Sequence, residues 1–190
     1  MRVFGIDPGS ERTGYGCVET DGRRHRLVTC GAVMAPPSAS FPDRLAGIHR
    51  ELTQLLQTLQ PDCVAIENLF HAVNARSALK LGHARGVAML AAVQAGCVVV
   101  EYTPTEIKRA VVGYGRADKG QVQQMIKLLL GLDTVPQPHD ASDALAVAIC
   151  HVHSQPPAGV EAAVAVVDAP RQRRGTPQLR SWRQYRPQQG

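Results

Sequence analysis

The apolar residues at the start of the chain fall into three short runs separated by turn-forming residues. Residues 1–6 end at Asp7-Pro8-Gly9, and residues 14–19 and 27–33 are separated by Asp21-Gly22. Short apolar runs bounded by glycine, proline and aspartate are typical of β-strands, and closely spaced runs pair as hairpins. The pattern therefore predicts a three-stranded antiparallel meander.

The apolar residues change to a helical spacing after residue 40. Leucine or isoleucine recurs every three or four positions from Leu45 to Leu59, and Pro61 ends the pattern. Ser40 and Asp43 have the spacing of an N-cap pair in front of this segment. We therefore expect an amphipathic helix between residues 40 and 61.

Strands and helices alternate along the rest of the apolar pattern. Residues 63–66 and 98–102 predict two further strands, and the Ala- and Leu-rich segment 74–95 predicts a helix between them. Capping residues mark the start of three later helices, at Thr103, Asp118 and Asp140. A meander followed by alternating strands and helices is typical of an α/β layered domain.

Composition divides the chain into a domain and a tail. Its 190 residues are 44% hydrophobic, which suffices for one well-packed core. We expect one domain over residues 1–155 and a disordered, Pro- and Arg-rich tail over residues 156–190. The formal net charge of +5 depends on this tail, since residues 171–190 hold six arginines and no acid. The arginines therefore predict only a nonspecific attraction to phosphate.

The cysteines and the hydropathy pattern indicate an intracellular setting. Five cysteines are an odd number and form no CxxC pair, which favours neither a disulfide framework nor a zinc site. Residues 86–100 form the most apolar long stretch, but Gln94 interrupts it. We therefore expect reduced thiols, no signal peptide, no membrane partner and a cytoplasmic protein.

Four acidic residues stand where an apolar pattern does not explain them. Asp7 and Glu67 each follow an apolar strand, and Asp140 and Asp143 lie three residues apart on one face of a predicted helix. Ligands of α/β folds bind beyond the carboxyl ends of the strands. If the helix packs beside these ends, the four carboxylates meet. Asp7 as a turn residue and Asp140 as an N-cap are the structural alternatives.

Such a cluster predicts metal-dependent phosphodiester hydrolysis. Crowded carboxylates repel one another unless a cation neutralises them, and hard oxygen ligands suit Mg²⁺ or Mn²⁺. Two ions roughly 4 Å apart can activate a water and stabilise a leaving oxygen. His139, next to Asp140, is a secondary candidate for a ligand or a proton carrier, with solvent exposure as the alternative.

Four segments resemble the RuvC family of Holliday-junction resolvases. They are IDPGSERTGYG, AIENLFHAVNARSALKLGHARGVAMLAAV, VVGYGRADKGQVQQM and HDASDALAVAICH, in the family's order. The resemblance runs from about Met1 to His153. It implies an RNase H-like fold with a five-stranded mixed sheet flanked by helices, and a homodimer that nicks four-way DNA junctions in symmetric pairs. It also implies two divalent metal ions per site, held by the family's acids at Asp7, Glu67, Asp140 and Asp143.

The resemblance further implies how DNA is bound. Phe70 matches a family aromatic that contacts unstacked bases, and Lys108 and Lys119 match lysines near the scissile phosphate. A core position for Phe70 and solvated faces for the lysines are the alternatives. Arg76 and Lys80, on the predicted helix 74–95, are candidates for lining the DNA channel. The family also suggests RuvA and RuvB as partners and a nucleoid-associated location.

Three other functions compete with junction cleavage. An RNase H-like nuclease with another nucleic-acid substrate, such as a ribosomal RNA precursor, would lack counterparts of the Phe70 loop and of residues 117–125. A non-cutting junction-binding protein would not need its carboxylates. An ATPase of the actin and sugar-kinase kind also begins with Asp-x-Gly, but it needs a second phosphate loop and a longer chain. The sequence favours the resolvase.

Overall fold

The N-terminal meander forms three strands of a five-stranded sheet. Strands β1 (Arg2–Asp7), β2 (Arg12–Thr20) and β3 (His25–Met34) pair antiparallel in sequence order. Strands β4 (Cys63–Glu67) and β5 (Val98–Tyr102) join the other side of β1 in parallel, and the sheet order is β3-β2-β1-β4-β5. The predicted mixed sheet is confirmed.

The computed structural model describes residues 1–34, 36, 38–68 and 74–155. All of them belong to one compact unit, Met1–Pro157, and Ala158–Gly190 form a second unit that lies outside the described residues. Phe70 and the expected tail are therefore not described. None of the helices in the described ranges is long and apolar enough to cross a membrane.

Most of the predicted helix starts are confirmed by their caps. The side chains of Ser40, Thr103 and Asp118 each accept a hydrogen bond from the backbone N–H three residues later. The N-cap alternative for Asp140 is wrong, because the last helix begins one residue earlier with Pro138 at its N-cap. The helices are α1 (Phe41–Leu59), α2 (Ala75–Gln94), α3 (Pro104–Val112), α4 (Lys119–Leu129) and α5 (His139–Ser154).

Two hydrophobic cores lie on opposite faces of the sheet. Phe4 and Ile6 of β1 point to the core that α1 and α2 cover, whereas Val3 points to the core of α3, α4 and α5. This alternation follows from the two-residue period of a strand. Asp7 and Val3 are an even number of residues apart on β1, so their side chains point to the same face of the sheet, the one covered by α3, α4 and α5.

Helix α5 lies unusually close to β1 and β2. A Cβ atom on Gly5 would stand 2.0 Å from the carbonyl oxygen of Ala144, and one on Gly14 would stand 2.0 Å from that of Asp140. Real atoms do not approach so closely, so only glycine fits at these two strand positions. The first turn of α5 is thereby placed over the carboxyl end of β1.

We expect Gly14→Ala to lower the free energy of unfolding by about 1 to 3 kcal/mol, the range for an overpacked site. The new methyl group must displace the backbone of α5. Urea unfolding followed by circular dichroism measures the change. Gly47→Ala is the matched control: it lies inside α1 with no atom within 4 Å of its Cβ, so stability should stay constant or rise. Equal stability of Gly14→Ala and wild type would contradict the close packing.

Candidate active site

Asp7 and Glu67 lie side by side at the carboxyl ends of neighbouring parallel strands. Ile6 of β1 pairs with Ile66 of β4, so the residues that follow are adjacent. Burial, together with the charge of Glu67, raises the pKa of Asp7 to about 9. Burial also raises the pKa of Glu67. Asp7 therefore keeps its proton near neutral pH in this state and donates it to Glu67.

Helix α5 adds two more carboxylates. Asp140 and Asp143 both act on Asp7 electrostatically and raise its pKa further. Their side chains are partly buried, with exposed fractions of 29% and 23%. The structure thus brings together the four acids that the sequence analysis singled out, and it does so through the close packing of α5 on the sheet.

Each α5 carboxylate is paired with a cation. Nζ of Lys119 lies 2.5 Å from Oδ2 of Asp143, and a terminal guanidinium nitrogen of Arg12 lies 3.3 Å from Oδ2 of Asp140. Within the described residues, no group of three His, Cys, Asp or Glu side chains is arranged to hold a metal ion.

A cleft of about 390 Å³ opens beside the acids. Lys108 of α3 and Lys119 of α4 also line it, and the positive charge of both lysines opposes the rise in the pKa of Glu67. Burial lowers the pKa of Lys119, but the hydrogen bond and the charge of Asp143 outweigh this effect and raise the pKa above its usual value. The remaining lining residues are apolar: Pro104, Ile107, Val122 and Ala146.

The other candidates lie away from this cleft. Arg76 and Lys80 are exposed on α2, which covers the opposite face of the sheet, and Nζ of Lys80 lies 5.9 Å from the ring centroid of Phe41. His139 is exposed, and its Nδ1 lies 3.0 Å from Nε2 of Gln123. Arg76, Lys80 and His139 do not line the cleft.

Arg12 is a site residue that the sequence analysis missed. It opens β2, two residues before Gly14, which pairs with Asp7. The antiparallel pairing therefore carries Arg12 just beyond the end of β1, where α5 brings Asp140. The available signal was a cation two residues before Gly14, the strand partner of Asp7. The predicted strand began only at residue 14, so it did not include Arg12.

Comparison with known proteins identifies the family. A family model described as "Crossover junction endodeoxyribonuclease RuvC" matches residues 3–151. The chain belongs to the RuvC family. A RuvC protein from Chloroflexus aggregans is 52% identical over 156 residues, which cover 82% of this chain and 95% of the relative. One from Trichlorobacter lovleyi is 50% identical over 187 residues, covering 98% of this chain and all of the relative.

A solved structure of the RuvC family supports the same assignment. The structure titled "T. thermophilus RuvC in complex with Holliday junction substrate" is 36% identical, with a TM-score of 0.77, and the match covers 80% of this chain and 93% of that one. This match confirms the predicted RNase H-like fold. The chain is therefore a nuclease-family protein whose acids and lysines meet at one cleft.

We expect Asp7→Asn to be more stable than wild type at pH 8 in the absence of divalent metal. The pKa of Asp7 is about 3.8 in the unfolded chain and about 9 in the folded protein. Between these two pH values the folded state binds a proton that the unfolded state has released. Wild-type stability is therefore lost progressively as pH rises through this window. Asparagine removes that loss, with an expected gain of at least about 1 kcal/mol at pH 8.

Chemical unfolding of both proteins from pH 4 to pH 9 measures this difference. Asp133→Asn is the control, because Asp133 is exposed and lies outside the cleft. A difference between Asp7→Asn and wild type that does not grow with pH would contradict the buried, protonated state of Asp7.

Proposed function

We propose that this chain is a Holliday-junction resolvase, a metal-dependent endonuclease that makes paired symmetric nicks in four-way DNA junctions during homologous recombination and DNA repair. The supporting observation is the meeting of three acids and two lysines at one cleft, namely Asp7, Glu67, Asp143, Lys108 and Lys119. Asp140 does not line the cleft, but its charge acts on Asp7. Membership of the RuvC family, with a relative solved on a Holliday junction substrate, supports the substrate class.

We assign the metal ions of this metal-dependent family to the four carboxylates. The donor set fits, because buried acids with raised pKa values lose their mutual repulsion when a cation lies between them. Oxygen donors of this kind suit Mg²⁺, with Mn²⁺ as a substitute, and four carboxylates suffice for two ions. Such ions activate a water molecule and stabilise the leaving oxygen in phosphodiester hydrolysis.

Lys119 and Lys108 act in this proposal as phosphate-binding residues. Lys119 is held by Asp143 and is 60% exposed, so it can exchange the carboxylate for a phosphate oxygen without crossing the protein interior. Ile107 and Val122 form an apolar wall beside the lysines. Exclusion of water by this wall strengthens the attraction between a lysine and a phosphate.

Residues outside the cleft complete the proposed DNA interface. Phe70, in the undescribed segment directly after β4 and Asn68, is assigned to stacking on an unpaired base, a contact worth roughly 1 to 3 kcal/mol. Arg76 and Lys80 lie in the first two turns of α2, the helix that follows that segment, and both are exposed. We assign them to contacts with the DNA backbone. His139 remains a secondary candidate for proton transfer.

A homodimer explains how two nicks are placed symmetrically, since each subunit supplies one cleft. We propose that α2 forms the interface, because its Leu79, Leu90 and Val93 are 65%, 50% and 62% exposed. Exposed apolar residues of this size on one helix are typical of interaction surfaces. RuvA and RuvB are the proposed branch-migration partners, and the nucleoid in the cytoplasm is the proposed location.

Cleavage of a labelled synthetic four-way junction, compared with a linear duplex of matching sequence, tests the proposal. We expect paired symmetric nicks in the junction alone, with Mg²⁺ or Mn²⁺ and not with chelator. Losing an outer partner of a metal ligand costs roughly 10- to 100-fold, so Asp7→Asn and Glu67→Gln should lower the rate by at least about 100-fold. Both should keep junction binding, and Asp133→Asn should cleave normally.

Other outcomes would overturn parts of the assignment. Equal cutting of both substrates would leave a metal nuclease without junction selectivity. Junction binding without cutting under any metal would indicate a structural DNA-binding protein. Full activity of Glu67→Gln would remove the carboxylate cluster from the mechanism.

We expect Arg12→Gln to bind Mn²⁺ more tightly than wild type in the absence of DNA. Arg12 competes with the metal for Asp140, and glutamine removes that competition. Because this ion pair is partly exposed, the expected gain is only severalfold in affinity. Isothermal titration calorimetry measures it, and Arg26→Gln is the control, since Arg26 pairs with Glu19 instead. Unchanged or weaker binding by Arg12→Gln would contradict the competition.

A further inference from the structure

The guanidinium of Arg12 lies beside the carboxylate cluster but does not line the cleft of the two lysines. One of its terminal nitrogens lies 3.3 Å from Oδ2 of Asp140, and the Arg12 side chain is 49% exposed. An ion pair this open to solvent contributes little to stability, because water and salt screen it. Arg12 can therefore exchange Asp140 for another anion at little cost.

The backbone that carries Arg12 is fixed by its neighbours. The buried hydroxyl of Thr13 donates to the carbonyl oxygen of Gly9 at 2.8 Å and accepts from the N–H of Gly9 at 3.4 Å. A Cβ atom on Gly9 would stand 2.2 Å from the carbonyl oxygen of Arg12, so the turn between β1 and β2 closes tightly. Arg12 thus presents a movable side chain on a fixed base.

Cations flank the acids on both sides. Strands β2 and β4 lie on opposite sides of β1. Lys108 and Lys119 act electrostatically on Glu67, at the end of β4. Arg12 opens β2 and pairs with Asp140. A DNA strand is a row of closely spaced phosphates, so a strand that crosses the acids meets positive charge on either side of them.

Arg12 and a metal ion compete for the same carboxylate oxygens of Asp140, and two cations at close range repel each other. Occupation of the cluster by metal therefore displaces the guanidinium. The displaced side chain keeps its charge, because arginine does not lose its proton in proteins. A phosphate is a suitable new partner, since the planar guanidinium matches two phosphate oxygens in a bidentate pair.

We propose that Arg12 is a metal-dependent DNA-binding residue. It pairs with Asp140 in the metal-free protein and with a backbone phosphate of the DNA once metal occupies the cluster. The inference rests on the proposed function, since it needs both the ions and the DNA at this site. It adds a link between these two ligands: a phosphate that binds Arg12 leaves Asp140 free for metal, so each ligand favours the binding of the other.

Junction binding by the full chain at several salt concentrations, followed by fluorescence anisotropy, tests the proposal. Ca²⁺ serves as the metal, because it also prefers oxygen ligands. With Ca²⁺, the slope of log Kd against log salt should fall by about 0.9 in Arg12→Gln, which is the contribution of one phosphate contact. Without metal, wild type and Arg12→Gln should have the same slope. Arg12→Lys should keep the wild-type slope, because it keeps the charge.

Arg26→Gln is the matched control for this measurement. Arg26 is also exposed and paired with a carboxylate, but its partner Glu19 lies near the other end of β2. Its salt slope should equal that of wild type with and without Ca²⁺.

A double-mutant cycle tests the release of Arg12 without any metal. Asp140→Asn removes the carboxylate partner and frees Arg12 for DNA. The loss of junction affinity caused by Arg12→Gln should therefore be severalfold larger in the Asp140→Asn background than in the wild-type background. Asp140→Asn also removes a negative charge that repels DNA, and comparison of the two backgrounds cancels this effect. Should Asp140→Asn fail to fold, the salt slopes with and without Ca²⁺ decide the outcome.

Three results would overturn the proposal in distinguishable ways. Equal salt slopes of wild type and Arg12→Gln with Ca²⁺, alongside junction-specific cleavage by wild type, would remove Arg12 from the DNA interface and leave the proposed function intact. An equal loss of slope with and without Ca²⁺ would indicate a permanent DNA contact and overturn the metal dependence. Absence of junction binding by wild type would overturn the inference together with the proposed function.

Discussion

The contact between the backbone of α5 and the glycine positions of β1 and β2 is the constraint on which the rest of the structure depends. Gly5 and Gly14 leave no room for a methyl group beneath the carbonyls of Ala144 and Asp140. Because the helix lies this close, its first turns reach the end of β1, where Asp7 emerges. A helix packed farther from the sheet would hold the same acids farther from Asp7 and Glu67 and weaken their effect on these residues.

The crowding of charge at this point is balanced from within the chain. Four carboxylates meet beside three cations, and the ion pairs of Asp140 and Asp143 leave the proton of Asp7 to relieve the remaining repulsion. Each of these partners is exchangeable, since a proton, a lysine and an arginine can all be replaced by other cations. In the proposed function, metal and phosphate replace these partners, at a site whose crowded charge costs the chain stability, as is common at functional sites.

Much of the fold could be predicted from the sequence because its signals are local. Turn residues delimited the strands, and Ser40, Thr103 and Asp118 marked helix starts that the structure confirms. The adjacency of Asp7 and Glu67 followed from their positions at strand ends. The partner of Arg12 could not be predicted, because it depends on where α5 lies, which is set by contacts more than a hundred residues apart in the chain.

The order of the elements along the chain has a consequence for synthesis. Asp7 and Glu67 belong to the first and fourth strands, whereas Asp140 and Asp143 belong to α5, the last element of the described chain. A nascent chain emerging from the ribosome thus holds half of its acids early and cannot join them to the others until α5 has left the exit tunnel and docked. Any product of translation that stops before α5 is left without the helix that completes the cluster.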